Sequence, residues 1–356
     1  MPDSAHEPMR TPAADTNPFL HRFAWLLAGA TVLLICSGGM VTSKGVGLSV
    51  PDWPTTFGYN MFFFPVSQWV GGIFFEHTHR LIASVIGFLS IILAFWLAFS
   101  KAERWIKTLG WVSLGAVVLQ GVLGGLRVTL LKDQIGIFHA CLAQAFLGML
   151  VVIALATSPV WRRLVQARSA IPARSLAILA LTATSLIYGQ LALGATMRHQ
   201  HRDLSILDFP LAYGQVIPAT DPATIARINQ ARDAQALSEV SAGQIWLQMA
   251  HRFIAAIIGL TIAAFWLLVR RAKDASPFLS KLANLWFGLV ILQITLGAWT
   301  IWSNKAADIA TAHVAVGALT FATAIVISAS VLRLRYAADA TAAFVPREDL
   351  VEAGLR

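Results

Sequence analysis

The chain consists of long apolar runs separated by polar connections. Eight of the runs have the roughly 20 apolar residues that an α-helix needs to cross the hydrocarbon core of a bilayer. The pattern therefore predicts an all-α, polytopic membrane protein. The predicted transmembrane helices cover residues 21–42, 70–99, 107–130, 136–158, 175–197, 244–270, 281–303 and 308–333.

Composition agrees with this class, and the distribution of charge predicts the orientation. Hydrophobic residues make up 57% of the chain, charged residues make up 13%, and the formal net charge is +9. Lys and Arg concentrate after the second, fourth, sixth and eighth predicted helices, so the charge requires no nucleic-acid partner. By the positive-inside rule both termini are cytoplasmic and the two long loops, 43–69 and 198–243, face outward.

The N-terminal residues indicate the host membrane, and the two cysteines exclude two kinds of cofactor site. Residues 1–20 are polar and resemble neither a removable signal peptide nor an Arg- and Ser-rich transit peptide, so a bacterial cytoplasmic (inner) membrane is expected. Cys36 and Cys141 lie inside apolar runs and outside any CxxCH motif. Covalent c-type haem attachment and a Cys-rich metal site are therefore excluded.

An internal repeat divides the chain into two halves. LSVPDWPTTFG at 48–58 matches LSILDFPLAYG at 204–214, and THRLIASVIGFL in the second helix matches AHRFIAAIIGLT in the sixth. Each half has four helices, so we expect two four-helix bundles related by a pseudo-two-fold axis along the membrane normal. A further match between the third and seventh helices aligns Gln120 with Gln293 and Gly124 with Gly297.

The predicted organisation follows from this repeat. Two bundles are joined by a cytoplasmic linker, cytoplasmic tails flank them, and the second bundle has the longer outer loop. The additional loop sequence predicts a short surface helix with Asp221 as N-cap and Pro222 in its first turn. The boundaries are 1–20 for the N-terminal tail, 21–158 for the N-terminal bundle, 159–174 for the linker, 175–333 for the C-terminal bundle with its outer loop 198–243, and 334–356 for the C-terminal tail.

Four histidines occupy matching positions near the outward ends of the even-numbered predicted helices. Two histidines on facing helices can take both axial positions of one haem iron, so each half offers one bis-histidine site. A single buried histidine is more often a hydrogen-bonded core residue, but four at equivalent positions favour ligation. The predicted metal ligands are His79 and His139 in the first half and His251 and His313 in the second.

His77 competes with His79 for the first of these positions. Residues two apart on a helix point about 200° apart, so only one of the two can face the bundle. Only His79 is followed by an arginine, as His251 is. We therefore select His79 and expect His77 to lie on the outer face or to form a hydrogen bond.

The two halves differ three residues before the first ligand histidine. Glu76 precedes His79 on the same helical face, whereas Gln248 precedes His251. A buried carboxylate can accept or relay protons, so the N-terminal bundle is the predicted catalytic half. The alternative is that Glu76 pairs with Arg80, one turn later on the same helix.

Arginines near the histidines are candidate partners of haem propionates, because a guanidinium group matches the geometry of a carboxylate. Arg80 and Arg252 directly follow histidines, and Arg127 and Arg198 lie at outer helix ends. For Arg127 and Arg198, snorkelling of the side chain to the membrane interface is an equal alternative.

The combination of EHTHR at 76–80, HR at 251–252, the paired His139 and His313, and the LSxxDWP loop resembles the haem A synthase family. The resemblance covers nearly all of the chain except the termini and the additional outer-loop segment. It implies an enzyme that oxidises a methyl group of haem O to a formyl group, giving haem A for cytochrome oxidase assembly. Some members carry a cysteine pair in an outer loop; this chain has none there, so no thiol-dependent step is expected.

The resemblance also implies roles for the candidate residues. His79 and His139 would flank the substrate haem O, Glu76 would be the functional carboxylate, and His251 and His313 would ligate haem b. An electron donor is required. Haem O synthase, cytochrome oxidase assembly factors and a second copy of the chain are candidate partners within the lipid bilayer.

Two other functions remain open at this point. A di-haem b-type electron-transfer protein usually places its haems near opposite membrane faces, whereas all four histidines here are predicted toward the outer side. A non-catalytic haem carrier would not need the difference between Glu76 and Gln248.

Overall fold

The structure, a computed structural model, describes residues 17–166, 174–200, 204–272 and 276–342. Within these ranges it is helical and contains no β-strand; two 3₁₀ turns, Met61–Phe63 and Val66–Gln68, lie in the first outer loop. Eight helices are long and apolar enough to cross a membrane, which confirms the predicted fold class. The helices are α1 (Pro18–Ser43), α2 (Gly71–Phe99), α3 (Arg104–Leu130), α4 (Asp133–Ala156), α5 (Pro159–Gln166), α6 (Arg174–His199), α7 (Pro222–Asp233), α8 (Ala242–Arg271), α9 (Pro277–Trp302) and α10 (Ala307–Ala342).

Polar capping residues set where several of these helices begin. α1 starts after Asn17, whose side chain accepts hydrogen bonds from the amides of Phe19 and Leu20. α8 starts with a capping box, in which the side chains of Ser241 and Gln244 each bind the backbone amide of the other residue. Such caps satisfy the first amides of a helix, which have no partner within it.

Two segments differ from the predicted boundaries. α5 occupies the first part of the expected linker, where the Ser158 hydroxyl accepts a hydrogen bond from the Trp161 amide and starts a helical turn. α10 continues past its predicted end at 333, because the alanine-rich sequence up to Ala342 contains no glycine or proline to stop it. The expected tail residues 1–16 and 343–356, linker residues 167–173 and loop residues 201–203 lie outside the described ranges.

The eight long helices form two rings of four. In the first ring α1, α2, α3 and α4 contact one another in that order, and α4 closes back on α1. In the second ring α6, α8, α9 and α10 do the same. α2 and α4 therefore occupy opposite corners of the first ring, and α8 and α10 occupy opposite corners of the second. This arrangement is compatible with two bundles, and their pseudo-two-fold relation stays a prediction.

The last long helix belongs to both halves of the protein. The rings meet along α1, α4, α6 and α10, and α10 is the most deeply buried of the eight long helices. Its Ala318 is part of the apolar core of the first ring, whereas Phe321 and Ala324 are part of the core of the second.

The two outer loops contain the same turn. Asp52 accepts hydrogen bonds from the amides of Phe57 and Gly58 at 2.7 and 2.9 Å, and Asp208 binds the two equivalent amides at 2.8 and 2.9 Å. Each turn has a cis peptide bond before its proline and a glycine with a φ of 77°, a conformation that favours glycine. The repeat in sequence is therefore also a repeat in local conformation.

The short helix expected in the second outer loop is present as α7. It begins after Asp221, whose carboxylate accepts a hydrogen bond from the Thr224 amide, and Pro222 lies in its first turn. Ile225 and Ile228 pack on an apolar cluster between the loop and the start of α8. α7 is thus attached to the outer end of the C-terminal half.

The capped turn of the first outer loop generates a prediction about pH. Burial opposes ionisation of Asp52, but hydrogen bonds from Gly58, Thr55 and Phe57 outweigh it and lower the pKa of this carboxyl. Because the folded-state pKa lies below the unfolded one, the stabilisation is fully present above about pH 4. It is lost as the pH falls through the folded-state pKa.

Hydrogen exchange at the Phe57 and Gly58 amides, corrected for intrinsic rates, tests this expectation. Exchange should accelerate below about pH 4 in the wild-type protein, whereas Asp52→Asn should exchange faster at neutral pH and lack the acid transition. Equal protection of the two proteins at neutral pH would contradict the proposed role of the carboxylate in the turn.

Candidate functional site

Four histidines lie at equivalent places in the two rings. His79 on α2 and His139 on α4 occupy opposite corners of the first ring, and His251 on α8 and His313 on α10 occupy opposite corners of the second. Within each pair, the side chains are near enough for their charges to interact. The structure thus brings together the same two pairs that the repeat indicates.

In the first ring, each of the two imidazoles packs against a glycine on the preceding helix. A Cβ atom built on Gly38 of α1 would lie 2.9 Å from Cε1 of His79. A Cβ atom on Gly124 of α3 would lie 3.5 Å from Cε1 of His139. The absence of a side chain at these two positions allows the neighbouring backbone to approach the rings closely.

The second ring repeats this contact. Cβ atoms built on Gly194 of α6 and Gly297 of α9 would lie 3.4 and 3.1 Å from Cε1 of His251 and His313, respectively. The internal repeat in the sequence aligns only Gly124 on α3 with Gly297 on α9. The other two, including Gly38, are recognisable in retrospect as glycines near the outer ends of the helices that precede α2 and α8.

The histidine rings are incompletely satisfied by protein atoms. All four side chains are partly exposed, and within the described ranges the buried Nδ1 atom of each has no hydrogen-bond partner. Buried polar atoms are nearly always paired, so four at equivalent positions indicate a site that the protein alone does not complete. The described residues contain no group of three His, Cys, Asp or Glu side chains suited to a bare metal ion. Paired imidazoles between apolar helices instead fit a haem.

Glutamine side chains bind two of the helices that carry these histidines. Nε2 of Gln120 on α3 donates to the backbone carbonyl of His139 at 2.9 Å, and Nε2 of Gln190 on α6 donates to that of His251 at 2.8 Å. The internal repeat aligns Gln120 with Gln293 but does not indicate this contact. These hydrogen bonds hold the backbone of His139 beside α3 and the backbone of His251 beside α6.

Glu76 attaches the first outer loop to α2. The side chain is 4% exposed, Oε2 accepts a hydrogen bond from the Val50 amide at 2.9 Å, and Oε1 accepts one from Nη2 of Arg80 at 2.8 Å. Arg80 also donates to the backbone carbonyls of Val50, Asp52 and Thr55. The pairing of Glu76 with Arg80, considered as the alternative above, is therefore present, and the guanidinium group is engaged by the loop.

The second half makes the same attachment with an amide. Oε1 of Gln248 accepts a hydrogen bond from the Ile206 amide at 2.8 Å, and Nε2 donates to the Ile206 carbonyl at 3.1 Å. Arg252 donates to the carbonyls of Asp208 and of a second loop residue. A carboxylate cannot donate, so in the first half Arg80 makes the bond to the loop carbonyl that Gln248 makes here.

His77 is fully buried and lies apart from the other four histidines. Its Nδ1 atom lies 3.2 Å from the Thr56 hydroxyl, and its ring packs on Phe64 and Trp69 at centroid distances of 5.1 and 4.8 Å. Of the two expectations for this residue, hydrogen bonding agrees with the structure and an outer-face position does not. His77 supports the first outer loop from beneath.

Arg127 and Arg198 have different surroundings. Arg127, in the last turn of α3, is within electrostatic reach of His79 and His139. Arg198, near the end of α6, donates through Nη2 to the Gly39 carbonyl on α1 at 2.6 Å and so connects the two rings. Snorkelling is therefore an incomplete description of Arg198, whose guanidinium group contacts protein.

The sequence also matches a known family. Residues 61–325, well over half of the 356 residues, match COX15-CtaA, which is described as a cytochrome oxidase assembly protein. The chain belongs to this family. The matched segment includes all four histidines, Glu76 and the turn of the second outer loop; the turn of the first outer loop, at 52–58, and Gly38 lie before it.

Individual relatives have similar lengths and low identity. A Heme A synthase from Shewanella oneidensis is 27% identical over 334 residues, which cover 86% of this chain and 96% of the relative. A Heme A synthase from Shouchella clausii is 25% identical over 296 residues, with 81% and 88% covered. A third, from Staphylococcus haemolyticus, is 24% identical over 313 residues, again with 81% and 88% covered.

The glycine contacts generate a prediction about stability. In Gly38→Ala the new Cβ atom falls closer to His79 than real Cβ contacts allow, so the ring must move; in Gly124→Ala the new contact with His139 is an ordinary one. Overpacking of this kind typically costs about 1–3 kcal/mol.

Thermal unfolding of the detergent-solubilised protein measures the difference. Gly38→Ala should lower the unfolding midpoint by several degrees, and Gly124→Ala, the matched control, should change it much less. The interpretation fails if the two variants are destabilised equally.

Proposed function

We propose that this protein is a haem A synthase, which oxidises a methyl group of haem O to a formyl group. The observation that carries the proposal is the two pairs of histidines, each at opposite corners of a four-helix ring and each bordered by glycines. Family membership supports it, as do relatives that carry the name Heme A synthase over most of this chain.

The two sites have different roles in this proposal. His79 and His139 bind the iron of haem O, the substrate, and His251 and His313 bind haem b, the resident cofactor. The bound haem b supplies electron transfer to the substrate site. The assignment of roles rests on Glu76, because only the N-terminal site has a carboxylate one turn from its first histidine.

Glu76 is the residue that can hold a proton in this position. Its two oxygens accept hydrogen bonds from Val50 and Arg80, and each oxygen retains a further lone pair. Conversion of a methyl group to a formyl group removes two hydrogens from the carbon, so protons have to be transferred, and a carboxylate near the substrate can take up or deliver a proton at Oε1 or Oε2. Gln248 at the equivalent place cannot do this, which agrees with a non-catalytic C-terminal site.

Arginines fit two roles around the haems. Arg80 and Arg252 fasten the outer loops to α2 and α8 through backbone carbonyls, so they close the outer ends of the two sites. Arg127, within reach of both N-terminal histidines, is the favoured partner of the substrate propionates. Arg198 is near His313 and takes the equivalent role in the C-terminal site.

The proposal also includes the membrane location of the protein and its partners. Eight helices long and apolar enough to cross a bilayer support haem sites within the membrane, and the basic connections favour cytoplasmic termini in a bacterial inner membrane. The haem sites then lie toward the outer face, beneath the two outer loops. An external electron donor is required, and proteins of cytochrome oxidase assembly are the partner class.

The proposal is tested by replacing Glu76 with glutamine, which keeps an acceptor for the Val50 amide and gives up the ion pair with Arg80. Gln248 demonstrates that a glutamine can hold an outer loop of this kind, so Glu76→Gln should keep the fold and bound haem. Loss of the proton-handling group should reduce haem A formation by about two orders of magnitude. Gln248→Glu, the matched control in the other half, should leave product formation close to wild type.

The measurement is made in cells whose membranes contain haem O but no haem A. Haems are extracted, separated by chromatography and identified by mass. Haem A or its alcohol intermediate in the wild type, and its loss in Glu76→Gln with haem retained, supports the enzyme. Wild-type membranes that yield only unmodified haem O and haem b would instead favour an electron carrier or a haem carrier.

A further inference from the structure

The first outer loop has no charged residue over most of its length. Between Asp52 and Glu76 the sequence contains no Asp, Glu, Lys, Arg or His, and its centre reads MFFFPVSQWV at 61–70. Exposed apolar side chains grouped in one segment mark a surface that contacts another molecule. We use the name apolar patch for the four side chains of this segment that are 63–79% exposed, which are Phe62, Phe63, Val66 and Val70.

The inner side of the same segment is also apolar and is packed in place. The Phe64 side chain is buried, and its ring packs on the His77 ring of α2 at a centroid distance of 5.1 Å. Trp69 packs on the same imidazole at 4.8 Å and donates from Nε1 to the Phe64 carbonyl at 3.4 Å. The apolar patch is therefore the outer side of a folded element whose inner side is apolar as well.

This segment lies beside the outer turns of the helices rather than above them. His77 is six residues into α2, so its contact with Phe64 places the segment roughly 9 Å along the helix from Gly71. Trp53, at the start of the same uncharged stretch, packs on Gly125 of α3, five residues before that helix ends, and leaves no room there for a Cβ atom. The loop is thus inserted into the outer end of the first ring.

The apolar patch continues into the exposed face of α2. Phe74, Val85, Phe88 and Phe95 are exposed, and their spacing puts them on one face of this helix. Because α2 is long and apolar enough to cross a membrane, this face meets lipid in a bilayer. Val70 comes directly before α2, so the apolar patch and the lipid-facing surface are joined without an intervening charge.

The second outer loop covers the equivalent surface with protein. Its additional segment folds into α7, and Ile225 and Ile228 of that helix pack on the cluster that contains Ala212 of the turn. The first loop has no such segment, and Phe57, the equivalent of Tyr213, stays 43% exposed. Within the part of the chain that the structure describes, the apolar patch is left uncovered.

We propose that the apolar patch is embedded in the outer leaflet of the bilayer, where phospholipid covers the first outer loop as α7 covers the second. Aromatic side chains favour this level of a membrane, and the absence of charge removes the main cost of placing the loop there. Continuity with the exposed face of α2 favours lipid over a water-soluble partner. The inference goes beyond the proposed function, because it requires only that the eight long helices span a membrane.

Lipid contact at this place bears on the N-terminal site. Glu76 and Arg80 lie on either side of His79 on α2, and both bind backbone groups of the first outer loop. The bilayer therefore helps to hold the loop that covers this site, whereas α7 does so in the other half.

Photo-cross-linking to lipid tests the inference. The photoreactive residue p-benzoylphenylalanine is incorporated at Phe63 in the full-length protein as purified from membranes. The protein is reconstituted in vesicles of phosphatidylethanolamine and phosphatidylglycerol and irradiated, and its intact mass is measured. The expected product is an adduct that adds the mass of one phospholipid. The lipid-facing control carries the same residue at Phe88 of α2, and the water-facing control carries it at Ala226, an exposed position on the polar helix α7.

The adduct yields decide the outcome. At Phe63 the lipid adduct should form in a yield close to that at Phe88 and several-fold above that at Ala226. A yield as low as that at Ala226 overturns the inference, and so does a cross-linked dimer in place of the lipid adduct, which would put a second copy of the chain on the patch. Val66, on the second 3₁₀ turn, repeats the measurement if the photoreactive residue at Phe63 prevents assembly. None of these results depends on haem oxidation, so the haem analysis of the membranes tests the proposed function separately.

Discussion

The contact between an imidazole ring and a glycine on the adjacent helix sets the geometry of both halves. Lipid tails are as apolar as leucine side chains, so helices in a membrane associate through close packing rather than through exclusion of water. A histidine near a bilayer needs a defined partner, and a glycine lets the next helix approach it without filling the space beside the ring. Gly38 and His79 show the tightest of these contacts, and Gly124 and His139 a looser one. Helix spacing and ligand position are therefore determined together.

The attachment of the outer loops likewise depends on giving each buried polar group a hydrogen-bond partner. Each begins with an aspartate-capped turn and is bound to the following helix by an arginine and by either Glu76 or Gln248. The loop carbonyls are thus paired with buried donors instead of being left at the membrane boundary without partners. Replacing an amide by a carboxylate retains one of the two hydrogen bonds to the loop and transfers the other to Arg80. The first half thereby acquires an ionisable group without losing the attachment of its loop.

Much of the architecture could be predicted from sequence because its signals are local. Apolar length indicated the eight long helices, the repeated Asp-x-Pro motif helped to indicate the two halves, and Asp221 marked the start of α7. The four histidines emerged from the repeat. Gly38 and Gln190 were missed because their roles depend on which helices become neighbours, and the loop contacts of Arg80 were missed because no periodicity records where a loop folds back. The predicted end of α10 at 333 marks where the apolar run meets Arg333 and Arg335. The helix itself continues to Ala342, because alanine-rich sequence favours a helix outside the membrane as well.

The position of α10 between the rings has a consequence for biogenesis. Ala318 completes the apolar core of the first ring, and Ala322 and Ile325 pack against it, although all three belong to the last long helix of the chain. During synthesis the first four long helices enter the membrane before α10 has been made. Their core stays open toward the future position of α10, so the N-terminal half can reach its final packing only after the C-terminal half has been made. Despite its two-part sequence, the molecule matures as one unit, with the last helix closing the first half.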